Sequence, residues 1–209
     1  MVPLHRRLAR SAQCRWREDA RGAQLVEFAI TLPLLVVFVV GIFDFSGAFT
    51  LKQKLTNISR DAARAAAADP ATDIAKPSST VPASVDDAYQ LILRYLTVNN
   101  INTCGITEAP SGSGPGVMFT FAAPSTSAPC GLTIIINRGY YLPSGTALQV
   151  APTSCQPLPA TSGVTQVVAT CVTIQYSYAW RFGRVASLLG SAARLPQNIT
   201  ATSIAMNEN

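Results

Sequence analysis

An α+β domain carried on a membrane-crossing helix is the architecture this sequence predicts, and three observations predict it. Between Arg21 and Lys52 the chain is strongly apolar and holds no basic residue. From residue 48 the apolar positions recur at alternating spacings of three and four, which continues a helix past that run. After residue 116 come short β-branched and aromatic runs divided by Gly, Pro and Ser, the pattern of antiparallel strands.

The apolar run reads as one span, since a bilayer core takes roughly 20 apolar residues at ~1.5 Å each. Residues 28–43 carry no charge and are slightly shorter than that. Glu27 is therefore expected just under the inner headgroups and Asp44 at the outer headgroup level. Pro33 removes a backbone donor and should kink or loosen the helix. Gly41 and Gly47 with Ala48 would allow close helix approach, although no strict small-x-x-x-small pair is present.

Charge sets the orientation. The net +5 is uneven: residues 1–22 carry six Arg against Glu18 and Asp19, while residues 50–209 carry ten Lys/Arg against seven Asp/Glu. Excess arginine beside a span predicts the cytoplasmic side for residues 1–22, which places Lys52 onward outside. A cleaved secretory signal has an apolar stretch of about 7–15 residues closed by an A-x-A-like site. Here the run is longer and no such site closes it, so the segment is expected to stay in the mature protein. Nucleic acid is not an expected partner, because the outer part has no basic stripe with interleaved aromatics.

Beyond the span, Ala48, Leu51, Leu55, Ile58, Ala62 and Ala65 form one stripe, with Lys52, Lys54, Asn57, Arg60, Asp61 and Arg64 mostly off it. Asp69-Pro70 ends the helix, and residues 25–68 would make a rod about 65 Å long. The Pro- and Ser/Thr-rich residues 70–83 read as a linker. Ser84, with Asp87 three residues on, is expected to cap a second helix bearing Ala88, Leu91, Ile92, Tyr95 and Leu96, ended by Asn99-Asn100. Strands are expected over residues 117–121, 132–136, 140–142, 147–150, 164–180 and 199–206, with Asn137-Arg138-Gly139 turning a hairpin. Residues 185–193 suit a short helix, and the Gly/Ser-rich 111–116 a turn. In residues 164–180, Val168, Val172, Ile174, Tyr176, Tyr178 and Trp180 alternate with Thr173, Gln175 and Ser177, the mark of a core face. That face is the expected seat for the Ala-rich stripe. The resulting division is a basic leader (1–22), a membrane helix (23–50), its outer continuation (51–69), a linker (70–83) and an outer α+β domain (84–209).

Cys14 lies in the leader, whereas Cys104, Cys130, Cys155 and Cys171 all lie beyond the span. Four cysteines in an oxidising compartment suggest two disulfides with three possible connectivities. Cys104–Cys130 with Cys155–Cys171 is favoured because both close local loops; free thiols are the alternative. No C-x-x-C pair exists and the sole histidine, His5, is in the leader, which argues against zinc. The same facts leave no Ser–His or Cys–His pair outside, and no cofactor is expected. An enzyme is not the expected class.

Gly22-Ala23-Gln24-Leu25-Val26-Glu27-Phe28 sets a Gly at the end of a basic leader and a Glu-Phe pair inside the apolar run. A carboxylate at depth costs roughly 2.5–3.5 kcal/mol on insertion scales and marks function by default; the plainer reading is that Glu27 snorkels or caps the helix N-terminus. The arrangement resembles the prepilin-peptidase site of type IV pilins in the Flp/Tad branch. More of the chain follows the same pattern: RGAQLVEFAITLPLL, then GIFDFSGAFTLKQKLTNISRDAARAAA, resembles the TadE-like signature over about fifty residues. A long strand near residues 172–180 and the closing A-x-x-x-A-M-x-x-E at residues 201–208 match in outline.

The resemblance implies a minor pilin-like subunit, or pseudopilin, of tight-adherence (Flp) pilus machinery. It implies cleavage between Gly22 and Ala23 by a prepilin peptidase, and pairing of the new Ala23 amine with Glu27 of a neighbouring copy. The implied partners are the inner membrane, the peptidase, other pilin-like subunits and the assembly platform. The implied location is the bacterial inner membrane with a periplasmic C-terminal domain, and ultimately a pilus. The alternative is an uncleaved membrane-anchored periplasmic binding or scaffold domain.

Overall fold

The computed structural model describes residues 9–70, 81–106, 117–124, 129–143, 155, 166–181 and 196–208. The expected strand at 147–150, the helix at 185–193 and the turn at 111–116 lie outside these residues. Two helices and four strands are described: α1 (Ala9–Ala68), α2 (Ala83–Val98), β1 (Met118–Ala122), β2 (Leu132–Pro143), β3 (Gln166–Ser177) and β4 (Asn198–Met206). The strands form one antiparallel sheet in the order β1-β2-β3-β4. The class is α+β, as expected.

α1 is 60 residues long and continues through Pro33, and its backbone reaches back into the leader as far as Ala9. At ~1.5 Å per residue it measures about 90 Å. Its outer half lies along β4 and α2, with β3 a lesser partner. The expected seat on β3 is therefore only part of the answer. The reason is side-chain size: β4 turns Ala201, Ser203 and Ala205 toward a helix face made of Ala62, Ala63, Ala66 and Ser59, so the backbones approach closely. Ser59 and Ser203, both buried, meet through a hydroxyl–hydroxyl bond of 2.7 Å, which satisfies two groups that would otherwise be costly to bury. Lys52 adds a bond from its Nζ to the Thr200 carbonyl.

α2 is capped two residues earlier than expected. Pro82 occupies the N-cap position, without a side-chain capping bond, and Ser84 is buried inside the first turn. Proline's fixed φ suits the entry to a helix, and the Pro82 carbonyl accepts from Val85 and Asp86. Ala88, Ile92 and Leu96 are buried as expected, joined by Val85 and Tyr89. The Tyr89 ring stacks on Phe121 of β1 with centroids 4.1 Å apart. After Asn99 the chain passes through left-handed backbone at Asn100, Cys104 and Gly105, a conformation that costs a Cβ-bearing residue about 1–2 kcal/mol. The Asn102 Oδ1 holds the Cys104 N–H at 2.9 Å.

The hairpin expected at Asn137-Arg138-Gly139 is instead a bulge inside a single strand. Asn137 pairs with Cys171 and Tyr140 with Ala169, so two β2 residues oppose one on β3. The extra residue flips the side-chain parity. Ile134 and Ile136 face the helices, whereas Tyr140 joins Cys155, Ala169 and Cys171 on the opposite face. Arg138 stays on the helix side, fully buried, and its Nη2 donates to the Asp69 carbonyl at 3.0 Å. A cation there suits the negative end of the α1 dipole. Glu208 completes the cap by donating its N–H to the Ala67 carbonyl. The two cysteine pairs favoured from spacing are bonded, each with 5.5 Å between Cα atoms. One ties the turn after α2 to the start of β2, and the other pins residue 155 to the back of β3.

Candidate functional site

The sequence that builds the inner half of α1 has apolar side chains on all sides, and nothing in the described chain covers them. Every described residue from 22 to 36 is exposed, including Leu25, Val26, Phe28, Ile30, Leu32, Leu34 and Leu35. A continuous apolar surface of this size is foreign to a helix in water. Among the described residues, this is the one helix long and apolar enough to cross a membrane.

Gly22, Ala23 and Glu27 lie on this exposed helix. A Cβ at Gly22 would meet nothing within 4 Å. Ala23 and Glu27 are four residues apart and share a helix face. Glu27 is exposed on that face.

Burial starts abruptly at Asp44, which is 5 % exposed although its neighbours Phe43 and Phe45 are 75 % and 54 % exposed. The residues just past the end of β3 produce this. Tyr178 places its hydroxyl 3.2 Å from the Asp44 Oδ1 and 3.1 Å from the Asp44 carbonyl. Gly47, one turn on, lets the phenol in: a Cβ there would stand 2.9 Å from the Tyr178 hydroxyl. Burial, then the Asp44 charge and its hydrogen bond, push the Tyr178 phenol above its ordinary value, while Arg181 works against them. Trp180 packs edge-on against Tyr178 at 4.9 Å and leans on Phe45 at 5.1 Å. Its indole N–H donates to the Pro196 carbonyl at 2.6 Å.

Sequence reasoning placed Asp44 at the outer headgroups but gave it no partner. It assigned Gly47 to helix–helix approach and Tyr178 to a core face. Gly47 does permit a close approach, by a tyrosine rather than a helix. The signal was the Asp44/Gly47 spacing of three, which puts carboxylate and gap on one face beside an aromatic alternation ending in Tyr178 and Trp180.

Among the described residues, no group of His, Cys, Asp or Glu is arranged to hold a metal. The arrangement offers surfaces rather than a reaction centre: a bare apolar rod with one carboxylate near its inner end, and a collar of aromatics where the domain begins. Residues 22–64 match the family model described as TadE-like protein. No curated protein and no solved structure matches the chain.

Proposed function

Taking the TadE-like segment at residues 22–64 as the premise, we propose that this chain is a minor pilin-like subunit of a Tad/Flp-type pilus, structural rather than catalytic. It is held in the inner membrane by α1, with its α+β domain in the periplasm. A prepilin peptidase cuts after Gly22, and the Ala23 amine of one copy then pairs with Glu27 of the next. The observation that carries this reading is the exposed apolar helix of residues 22–43, which continues without a break into a domain-bound half. Such a rod can exchange lipid for the same rods of neighbouring subunits without disturbing the domain. A glycine at the cleavage point costs about 1 kcal/mol of helix stability relative to Ala, which eases local unwinding for the protease.

An uncleaved, membrane-anchored binding or scaffold domain is the second reading, favoured by the helical backbone that runs through Gly22 to Ala9. Intact mass after expression with and without a prepilin peptidase separates the two. The pilin reading expects the first 22 residues to be lost only when the peptidase is present; an unchanged mass supports the anchor. Within the pilin reading, Glu27→Ala is expected to leave insertion and cleavage intact and to lower incorporation into filaments. Normal piliation by that variant would remove the pairing.

A further inference from the structure

We propose that the outer domain sits directly on the bilayer through a patch formed by Phe43, Phe45, Tyr178, Trp180 and Arg181, and that its partner there is the phospholipid interface. The proposal rests on residues 22–43 crossing the membrane, and on nothing about cleavage or filaments.

Depth is the first argument. The uncharged residues 28–43 span about 24 Å at ~1.5 Å each, against a hydrocarbon core of roughly 30 Å. The core therefore extends about two residues past each end of that stretch, so Asp44 and Phe45 fall at its outer boundary. A bare helix would present the Asp44 carboxylate to acyl chains there, an expensive placement. In this structure the Tyr178 phenol covers it. The domain must then occupy the same depth as Asp44, because Tyr178 belongs to the domain.

Composition is the second argument. Tyr and Trp favour the headgroup level, where an apolar ring and a wet polar edge can both be accommodated. Trp180 lays its ring against Phe45 and gives its N–H to the Pro196 carbonyl, so it leaves no bare donor to face lipid. Phe43, Phe45 and Phe49 remain exposed on the adjoining stretch of α1. Arg181, the next residue, is exposed and lines an open cleft with Val40, Phe43 and Tyr178. Asp44 lines the floor of the same cleft under the Tyr178 hydroxyl; the exposed guanidinium at its rim can meet a lipid phosphate with two parallel hydrogen bonds. The patch is continuous with the apolar surface of the span, so lipid already reaches its lower edge.

The test uses the full chain with Trp16→Phe, which leaves Trp180 as its single tryptophan. It is reconstituted in phosphatidylcholine/phosphatidylglycerol vesicles whose lipids carry bromine either near the acyl carbonyl or near the chain tail. Most of the Trp180 emission should be lost to the shallow bromines, less to the deep ones, and little to aqueous iodide. A companion with its single tryptophan at position 38 (Trp16→Phe, Trp180→Phe, Phe38→Trp) should show the opposite depth order. Quenching at 38 with none at 180 would overturn the patch and leave the span standing. Protection of Trp180 from both bromolipid and iodide would assign its cover to protein, and so also overturn the proposal. Absence of bromolipid quenching at both positions would overturn the span and the patch together. Arg181→Gln should weaken the shallow quenching; an unchanged value would take the arginine out of the patch.

Discussion

Between residues 25 and 43, α1 exposes Leu, Val, Ile and Phe side chains, whereas from Leu55 to Ala67 it buries mainly Ala with one Leu, one Ile and one Ser. Both halves are apolar, for different physical reasons. On the membrane reading proposed above, the inner half needs bulk and no charge, because fluid hydrocarbon accommodates any apolar shape. The outer half needs small side chains at set positions, because its surroundings are a packed helix and strand. Asp44 marks the change: it is the first buried residue of α1 among those whose side chains are described, and it is polar. Helix propensity does not distinguish the halves; the identity of the solvent does.

The largest expected contrast comes from matched truncations. Leu55→Ala empties a fully buried position and should cost the outer domain roughly 2–5 kcal/mol. Leu35→Ala, on the exposed inner half, should leave domain unfolding unchanged. Near-ultraviolet circular dichroism against urea, on the full chain in detergent, measures both. Equal losses would mean that the inner half is packed against the domain.

This contrast was largely legible in the sequence. The uncharged stretch, the three-four stripe and the Asp69-Pro70 stop are local signals, and the helix follows them. The alternation gave the inward face of β3 correctly at Val172 and Ile174 but not at Val168, which is exposed near the start of the strand. Features that depend on tertiary neighbours were not legible. The bulge at Asn137-Arg138-Gly139 carries the residues of a turn; only pairing with β3 and a place for Arg138 at the end of α1 keep it inside a strand. Ser84 has the chemistry of a cap, yet the Pro82 backbone starts α2 first. Tyr89 lay outside the expected stripe and found Phe121, a partner 32 positions along the chain that no local pattern announces. Of the candidate site, Asp44 was expected only at the outer headgroup level, and its phenol partner lies 134 residues away. The two cysteine pairings were legible because each closes a local loop.

A sharper form of the comparison sets Gly47 against Gly41. Alanine at either position gains up to about 1 kcal/mol of helix preference. At Gly47 the added methyl meets the Tyr178 hydroxyl, and losing that bond costs about 1 kcal/mol. Gly47→Ala should therefore be near neutral in the native background and stabilising in Tyr178→Phe, a coupling of about 1 kcal/mol. Gly41→Ala should show no coupling to Tyr178, since nothing stands within 4 Å of its added Cβ. Urea unfolding of the four variants in each cycle gives both values. Additivity at Gly47 would mean that Tyr178 does not dock there.

The smallest effect is expected from pH. Tyr178 is raised by burial, then by the Asp44 charge and hydrogen bond, and Tyr140 and Tyr176 are raised by burial. A phenol raised in the folded state binds its proton more tightly there than in the unfolded chain. Its contribution is complete below the ordinary tyrosine value near 10 and fades as pH climbs through the raised one. Domain stability should thus fall above about pH 10, and Tyr178→Phe should flatten part of that slope. A slope unchanged by the substitution would remove Tyr178 from the linkage.

The most direct test of the central claim, that one helix stands in two solvents, is thiol accessibility along α1. Single cysteines at positions 34, 38 and 42, and at 53, 57 and 60, are introduced into a Cys14→Ser chain and treated in intact membranes with a bulky, membrane-impermeant maleimide. Reaction is expected at 53, 57 and 60, and protection at 34, 38 and 42 until detergent is added. Reaction at 34 and 38 in intact membranes, as readily as at 53 and 57, would contradict it.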